Sequence, residues 1–308
     1  MTGETRITDG HRDGVPTVVL ENGFLRVEVA PGIGGRVVSL QHLSSGREFL
    51  WRNPNLALVR SLPGAEYDPN FYGGMDELLP NDAPEVIDGI TCPDHGELWT
   101  LPLTAETREG ELILSGRLPL FGLAYERSMG LEENRLICRY RITNPTTSAR
   151  RFLWKLHAAL AVRRGDRIVC PAGSAQAADP AWSRRKTTAP FDWPSADGLD
   201  MSIVPEPDGS TEFLYLYDLR DGLMALEAAD GAGISCRFDT SVFPCCWYFA
   251  SHGGMDGAFV GVLEPCTNMP MSVNEADAEG FCAGLQPGDQ LETTVVWTLD
   301  APTGRKKA

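Results

Sequence analysis

Along this chain, short runs rich in Val, Ile, Leu, Tyr, Phe and Trp recur between Gly, Pro, Asn and Asp, and almost no segment keeps an apolar 3.6-residue period for long. Such runs suit pleated strands, whose side chains alternate between two faces, and they lack the stripe a helix would bury. The pattern predicts a nearly all-β protein. Strands are expected at 17–20, 24–30 and 36–43, then at 150–160, 212–219, 223–228, 233–239, 245–250, 258–265 and 290–299. Two hairpins stand between them, "LTAETR" with "ELILSGRL" around "EG" and "LAYERSMGL" with "RLICRYRIT" around "EEN". That many strands exceed a minimal sandwich, so the expected architecture is two large antiparallel sheets packed face to face in a single domain over residues 1–308. Residues 170–211, rich in Pro, Ala, Ser and Asp, read as surface loops. No fixed-period repeat is visible.

The charge balance narrows the partners. With 27 Lys plus Arg against 42 Asp plus Glu, the formal charge is -15, and the overall field repels phosphate backbones and anionic membrane surfaces. Nucleic acid and membrane are therefore not expected as partners. The basic stretches "WSRRKTT" (182–188) and "GRKKA" (304–308) read as a solvated loop and a solvated tail. The N-terminus has no apolar leader core, and no stretch approaches the ~20 apolar residues of a membrane span, so a cytoplasmic protein is expected. The eight cysteines form no CxxC pair and no His/Cys spacing for zinc, so neither a metal nor a cofactor is expected. In a reducing compartment they read as small buried hydrophobes. Strand geometry turns the adjacent Cys245 and Cys246 to opposite faces, which argues against a redox pair. "PGIGGRVV" matches neither a dinucleotide fingerprint nor a P-loop and reads as a tight turn with positive φ.

Four segments carry side chains able to do chemistry. "PDHGELW" (93–99) sets His95 between Asp94 and Glu97 and closes on Trp99; taken locally, a polar turn and a reactive site are equally open. In "FLWKLHAAL", strand parity puts Phe152, Trp154, Leu156, Ala158 and Leu160 on one face and Leu153, Lys155, His157 and Ala159 on the other. The first face reads as core. The second, with two ionisable groups on an otherwise apolar strand, reads as the lining of a cleft, although His157 taken alone is equally a histidine hydrogen-bonded at an edge of the core. In "FVGVLEPCTNMP", Val260, Val262 and Glu264 share a face and Pro265 is expected to end the strand. A glutamate there either faces solvent at the strand end or is paired or partly desolvated, since burying it bare costs several kcal/mol. "FYGGMDELLPN" (71–81) places Asp76 and Glu77 in an expected loop with one helical turn, the kind of polar and aromatic segment that often meets ligands.

The order of "YGGMDELLPN", "DHGELW", "LWKLHAAL", "GVLEPCTNMP" and "LQPGDQLETTVVWTL" resembles the aldose 1-epimerase (galactose mutarotase-like) family, from about residue 17 to about residue 300. The resemblance implies a β-supersandwich with a carbohydrate site on the concave face of one sheet and interconversion of α and β anomers without metal or organic cofactor. It implies that His157 acts as general acid toward the sugar ring oxygen, that Glu264 takes the proton of the anomeric hydroxyl, and that His95 holds the ring oxygen or a neighbouring hydroxyl. Opening a hemiacetal needs one base and one acid acting together, and re-closure reverses their roles. An imidazole, with an ordinary pKa of ~6.5, can give and recover a proton at neutral pH. Asp76, Glu77, Glu97, Trp99, Lys155 and Arg52 are the expected substrate contacts, while the family's substrate-binding Asp has two possible matches, Asp192 and Asp239. After the strand histidine the chain departs from the family, reading "HAAL". The expected partner is a small carbohydrate, the expected assembly a monomer or homodimer. Two further readings remain open on the same fold: a sugar-binding protein without catalysis, and a glycoside hydrolase or lyase, with Glu97 or Asp76 as second carboxylate.

Overall fold

The computed structural model describes residues 4–302. Two antiparallel sheets dominate it. The larger has twelve strands, in the spatial order Arg6–Arg12, Val15–Glu21, Leu25–Ala30, Arg36–His42, Met75–Leu78, Lys155–Leu160, Phe259–Cys266, Cys245–His252, Thr211–Tyr217, Ser174–Ala177 and Phe191–Asp192, with Arg47–Glu48 pairing to the fourth. The second has eight, in the order Arg167–Val169, Leu223–Glu227, Gly233–Arg237, Gln290–Asp300, Arg135–Thr143, Ala124–Glu132, Glu111–Arg117 and Thr104–Arg108. No helix among the described residues is long and apolar enough to cross a membrane.

The sheets share one core because each strand turns alternate residues toward the other sheet. Val27, Val29, Leu40, Leu156 and Leu214 from the larger sheet join Leu114, Met129, Leu136, Val295 and Trp297 from the smaller in one buried cluster. On the opposite face of the larger sheet, Leu78, Ala159, Val260 and Val262 pack with Tyr67, Phe71 and Trp99, which arrive from the segments that cover it. The expected glycine turn is present: Gly34 and Gly35 have φ of 62° and 70°, and a Cβ on Gly34 would lie 2.5 Å from the Leu98 carbonyl oxygen.

Four expectations about elements are corrected. Residues 150–160 are not one strand: Arg150–Phe152 pairs with Ala283–Leu285 in a small separate sheet, and the ladder restarts at Lys155. The interruption arises because the amide of Leu153 donates to the Pro80 carbonyl and that of Trp154 to Thr267 Oγ1. Met75–Leu78, expected as loop with a helical turn, is a strand in the middle of the larger sheet. Pro265 does not end its strand, which runs to Cys266. The 170–211 segment supplies two edge strands, Ser174–Ala177 and Phe191–Asp192, besides its loops. The Arg6–Arg12 strand and the short helix Val273–Ala278 had no sequence signal behind them. All eight cysteines are free, Cys282 half-buried and the others buried. The basic tail 304–308 lies outside the described residues.

Candidate active site

Register aligns the reactive groups in one row across the larger sheet. Asp76 is the cross-strand partner of His157, and Glu264 is the partner of Trp247, itself opposite Tyr215. Pairing of Lys155 with Cys266 and of Ala158 with Leu263 sets His157 opposite Glu264. Directly opposed residues have Cβ atoms about 4.5–5.5 Å apart, so the imidazole and the carboxylate reach the same small volume. That volume is a cavity of about 240 Å³ whose lining includes Tyr67, Asp82, His95, Lys155, His157 and Glu264, with Phe71, Phe213 and Phe249 as apolar walls.

His157 is held from behind. Its Nδ1 lies 3.0 Å from Asp76 Oδ1, and Tyr67 OH lies 3.2 Å from the same nitrogen while donating to Asp76 Oδ2 at 3.0 Å. Asp76 also receives Arg36 Nη2 at 2.6 Å. Burial alone would push the Asp76 carboxyl up, but Arg36, His157 and Tyr67 outweigh it and hold the group far below the usual carboxylate range. A permanent carboxylate at Nδ1 keeps the proton on that nitrogen and turns Nε2 toward the cavity.

Glu264 is 1 % exposed, and its charge is met by Lys155, whose Nζ is 2.6 Å from Glu264 Oε2 and 2.7 Å from Asp82 Oδ1. The same ammonium sits 4.2 Å from the ring centroid of Trp247. Burial would lower the Lys155 pKa, but the two carboxylates outweigh it and hold the group above its ordinary value. Asp82 shows the converse: burial raises it, Lys155 and His95 lower it more, and it stays ionised below the usual range.

His95 enters the cavity from a loop with unusual backbone. It has φ of 55° and Gly96 has φ of 72°, and a Cβ on Gly96 would lie 2.3 Å from the Leu79 carbonyl oxygen, so a glycine is required at 96 for this turn. The His95 ring stacks on Tyr67 at 4.2 Å and 6°, its Nδ1 is 2.8 Å from Asp94 Oδ1, and its Nε2 is 3.7 Å from Asp82 Oδ1. Burial would lower its pKa, but Asp82 and Asp94 prevail and raise it. Asp94 also fixes the loop by accepting from the Tyr67 amide at 2.7 Å.

The structure thus brings His95, Lys155, His157 and Glu264 to one cavity, with Asp76 directly behind it. It does not bring the other expected contacts there. Glu77, next to Asp76 on the same strand, points to the opposite face, where it binds Arg127 Nη1 at 2.6 Å, Tyr125 OH at 2.9 Å and Trp154 Nε1 at 3.0 Å inside the core. Glu97 accepts from the amides of Leu120 and Phe121. Trp99 is buried behind Tyr67, edge-on at 5.0 Å. Arg52 forms a backbone bridge to Gly73 and stays outside the cavity lining. Neither Asp192 nor Asp239 lines it either.

Sequence reasoning missed Arg36, Tyr67, Phe71, Asp82 and the aromatic wall. Arg36 did leave a signal, a charge opening an apolar strand in "GGRVVSL", and Asp82 is an acid between two prolines in "LPNDAP". Tyr67 left none, because it reaches the site from a loop. Among the described residues, no three His, Cys, Asp or Glu side chains converge as a metal-binding group.

No family model matches the chain. No curated protein matches it in sequence. Solved structures do match in fold. A candidate aldose 1-epimerase from Escherichia coli aligns with a TM-score of 0.72 at 16% identity, covering 96% of this chain and 99% of that one. A galactose mutarotase-like protein from Clostridium acetobutylicum aligns with a TM-score of 0.72 at 14% identity, again over 96% and 99%. A galactose mutarotase related enzyme from Lactobacillus acidophilus gives a TM-score of 0.66 at 13% identity, over 94% and 98%. The likeness is one of fold along nearly the whole chain.

Proposed function

On this galactose mutarotase-like fold, we propose that the chain is an aldose 1-epimerase, an isomerase that interconverts the α and β anomers of a free sugar by acid–base ring opening. The observation that carries the reading is the row of Asp76, His157 and Glu264, with His157 and Glu264 lining a sugar-sized cavity and Asp76 behind them. Glu264 takes the proton of the anomeric hydroxyl as His157, from Nε2, gives one to the ring oxygen. The C1–O5 bond breaks, C1 becomes an aldehyde, and rotation about C1–C2 presents its other face for re-closure with the two roles reversed. The Asp76 carboxylate stabilises the imidazolium that this cycle requires, while Tyr67 and Arg36 keep Asp76 in place. His95 supplies an N–H to a ring substituent, and Phe71, Phe213 and Phe249 offer apolar faces to the sugar's C–H groups.

The glycoside hydrolase reading is less well supported. Of the two expected second carboxylates, Glu97 is tied to the amides of Leu120 and Phe121 outside the cavity lining, and Asp76 sits behind His157 with a lowered pKa that leaves it no proton to give a leaving group at neutral pH.

Polarimetry of freshly dissolved α-glucose and α-galactose tests the proposal. The protein is expected to speed equilibration above the buffer rate, and Glu264→Gln, which keeps shape and removes the base, is expected to lose about 10²- to 10⁴-fold in kcat. Equal rates for the two proteins across a broad aldose panel would sink it.

A further inference from the structure

The inner cavity does not end at the protein surface. At Asp68, Phe71, Trp182 and Met255 it continues into a larger groove of about 680 Å³, and these four residues wall both spaces. The inner cavity, at about 240 Å³, falls below the ~300–1,000 Å³ of ordinary ligand pockets and suits one sugar ring. The outer groove has room for more.

Its lining has the chemistry of sugar recognition. Trp51 stacks on Phe71 with centroids 5.4 Å apart, and Trp182 stands 41 % exposed at the junction, a large apolar face left to solvent. Flat aromatic faces take the C–H side of a pyranose, and amide or carboxylate groups beside them take its hydroxyls. Asn53, Asn55 and Asp256 line the groove for the second purpose, and Asn53 is pre-set, donating to the Phe71 carbonyl and accepting from the Asn55 amide. Among the described residues, no Lys or Arg lines the groove, while Asp68 and Asp256 do. On the inner wall, Lys155 is already shared by two carboxylates. A phosphate or uronate would meet Asp68 and Asp256 with no Lys or Arg beside them, which disfavours an anionic occupant.

The chemistry of the reaction sets its direction. Glu264 and His157, 1 % and 6 % exposed, lie at the closed end, so C1, O1 and O5 of the bound ring face inward. O1 must be a free hydroxyl for the ring to open. Any extension leaves from a non-anomeric hydroxyl on the far side of the ring, which faces the junction with the groove. We propose that the outer groove is a second glycosyl subsite, and that the preferred substrate is the reducing end of a neutral oligosaccharide. This rests on the epimerase reading for its chemistry and on the groove alone for its binding.

The test compares glucose and galactose with maltose, cellobiose, lactose, maltotriose and cellotriose, by anomer exchange in NMR for the wild type and by calorimetry for Glu264→Gln. At least one oligosaccharide is expected to exceed the monosaccharides by about tenfold in kcat/KM and to bind Glu264→Gln about tenfold more tightly. Trp182→Ala and Asn55→Ala, both at exposed positions, are expected to shrink the oligosaccharide-to-monosaccharide ratio of kcat/KM several-fold. If no sugar is turned over faster than in buffer, the epimerase reading fails and calorimetry alone decides the subsite. Oligosaccharides that neither react nor bind better than monosaccharides overturn the subsite, as do variants that weaken both classes equally.

Discussion

Replacing Lys155 by Met isolates the electrostatics of the candidate site. Methionine keeps most of the apolar stem but loses the ammonium and its place over Trp247, leaving Asp82 and Glu264 buried together. At 2.6 and 2.7 Å and an effective dielectric of ~20, each contact is worth roughly 6 kcal/mol of gross attraction. Desolvation of three buried ions, at several kcal/mol each, consumes most of this in the wild type. Removing the cation recovers only its own share, so Lys155→Met is expected to cost ~3–5 kcal/mol at pH 7, the range seen when one member of a buried pair is removed. The pH dependence carries a sign that a packing defect would not. In the wild type, Asp82 has a folded pKa below its unfolded value of ~3.9. Its contribution is therefore present above that value and lost as pH falls through the folded pKa. Without Lys155, burial prevails and the folded pKa rises above the unfolded one, so the variant gains stability as pH falls from 7 toward 4. Urea midpoints at pH 7 and pH 5 should thus show a deficit that narrows with acid. A loss under ~1 kcal/mol at pH 7, or a deficit unchanged at pH 5, would refute the reasoning.

Two further substitutions separate the adjacent acids of the Met75–Leu78 strand. Asp76→Asn removes the carboxylate behind His157, so kcat for anomerisation is expected to fall by about 10²-fold or more with little change in KM; an unchanged kcat would remove Asp76 from the proton path. Glu77→Gln leaves Arg127 without its buried partner and is expected to cost ~3–5 kcal/mol in urea unfolding, with KM for sugar unaltered. A raised KM at unchanged stability would instead put Glu77 at the sugar.

Much of the fold was legible because strand periodicity is local. The alternation in "FLWKLHAAL" separated Trp154 and Leu156 from Lys155 and His157, and that division holds between the core and the cavity. Where elements were misread, a long-range partner had overridden the local pattern. Met75–Leu78 is too short, between a glycine pair and a proline, to announce itself as a strand; its neighbours Arg36–His42 and Lys155–Leu160 make it one. The same omission explains the Glu77 expectation. Parity separates Asp76 from Glu77 only once the segment is known to be extended, and only the sheet says which of them meets the core.

By itself, the sequence determined the β character of the chain, the placement of Lys155 and His157 on one face, and the position of Glu264 on a strand. These follow from nearest-neighbour geometry, which repeats every two residues. The tertiary structure decided which residues stand beside them. Asp76, His157, Glu264 and Trp247 come from four different strands and form a row only through register. Tyr67, Asp82 and His95 reach the cavity from loops whose paths depend on what lies beneath them. Hydrogen-bond register and loop course are set by contacts between residues far apart in the chain, and a local pattern does not carry that information.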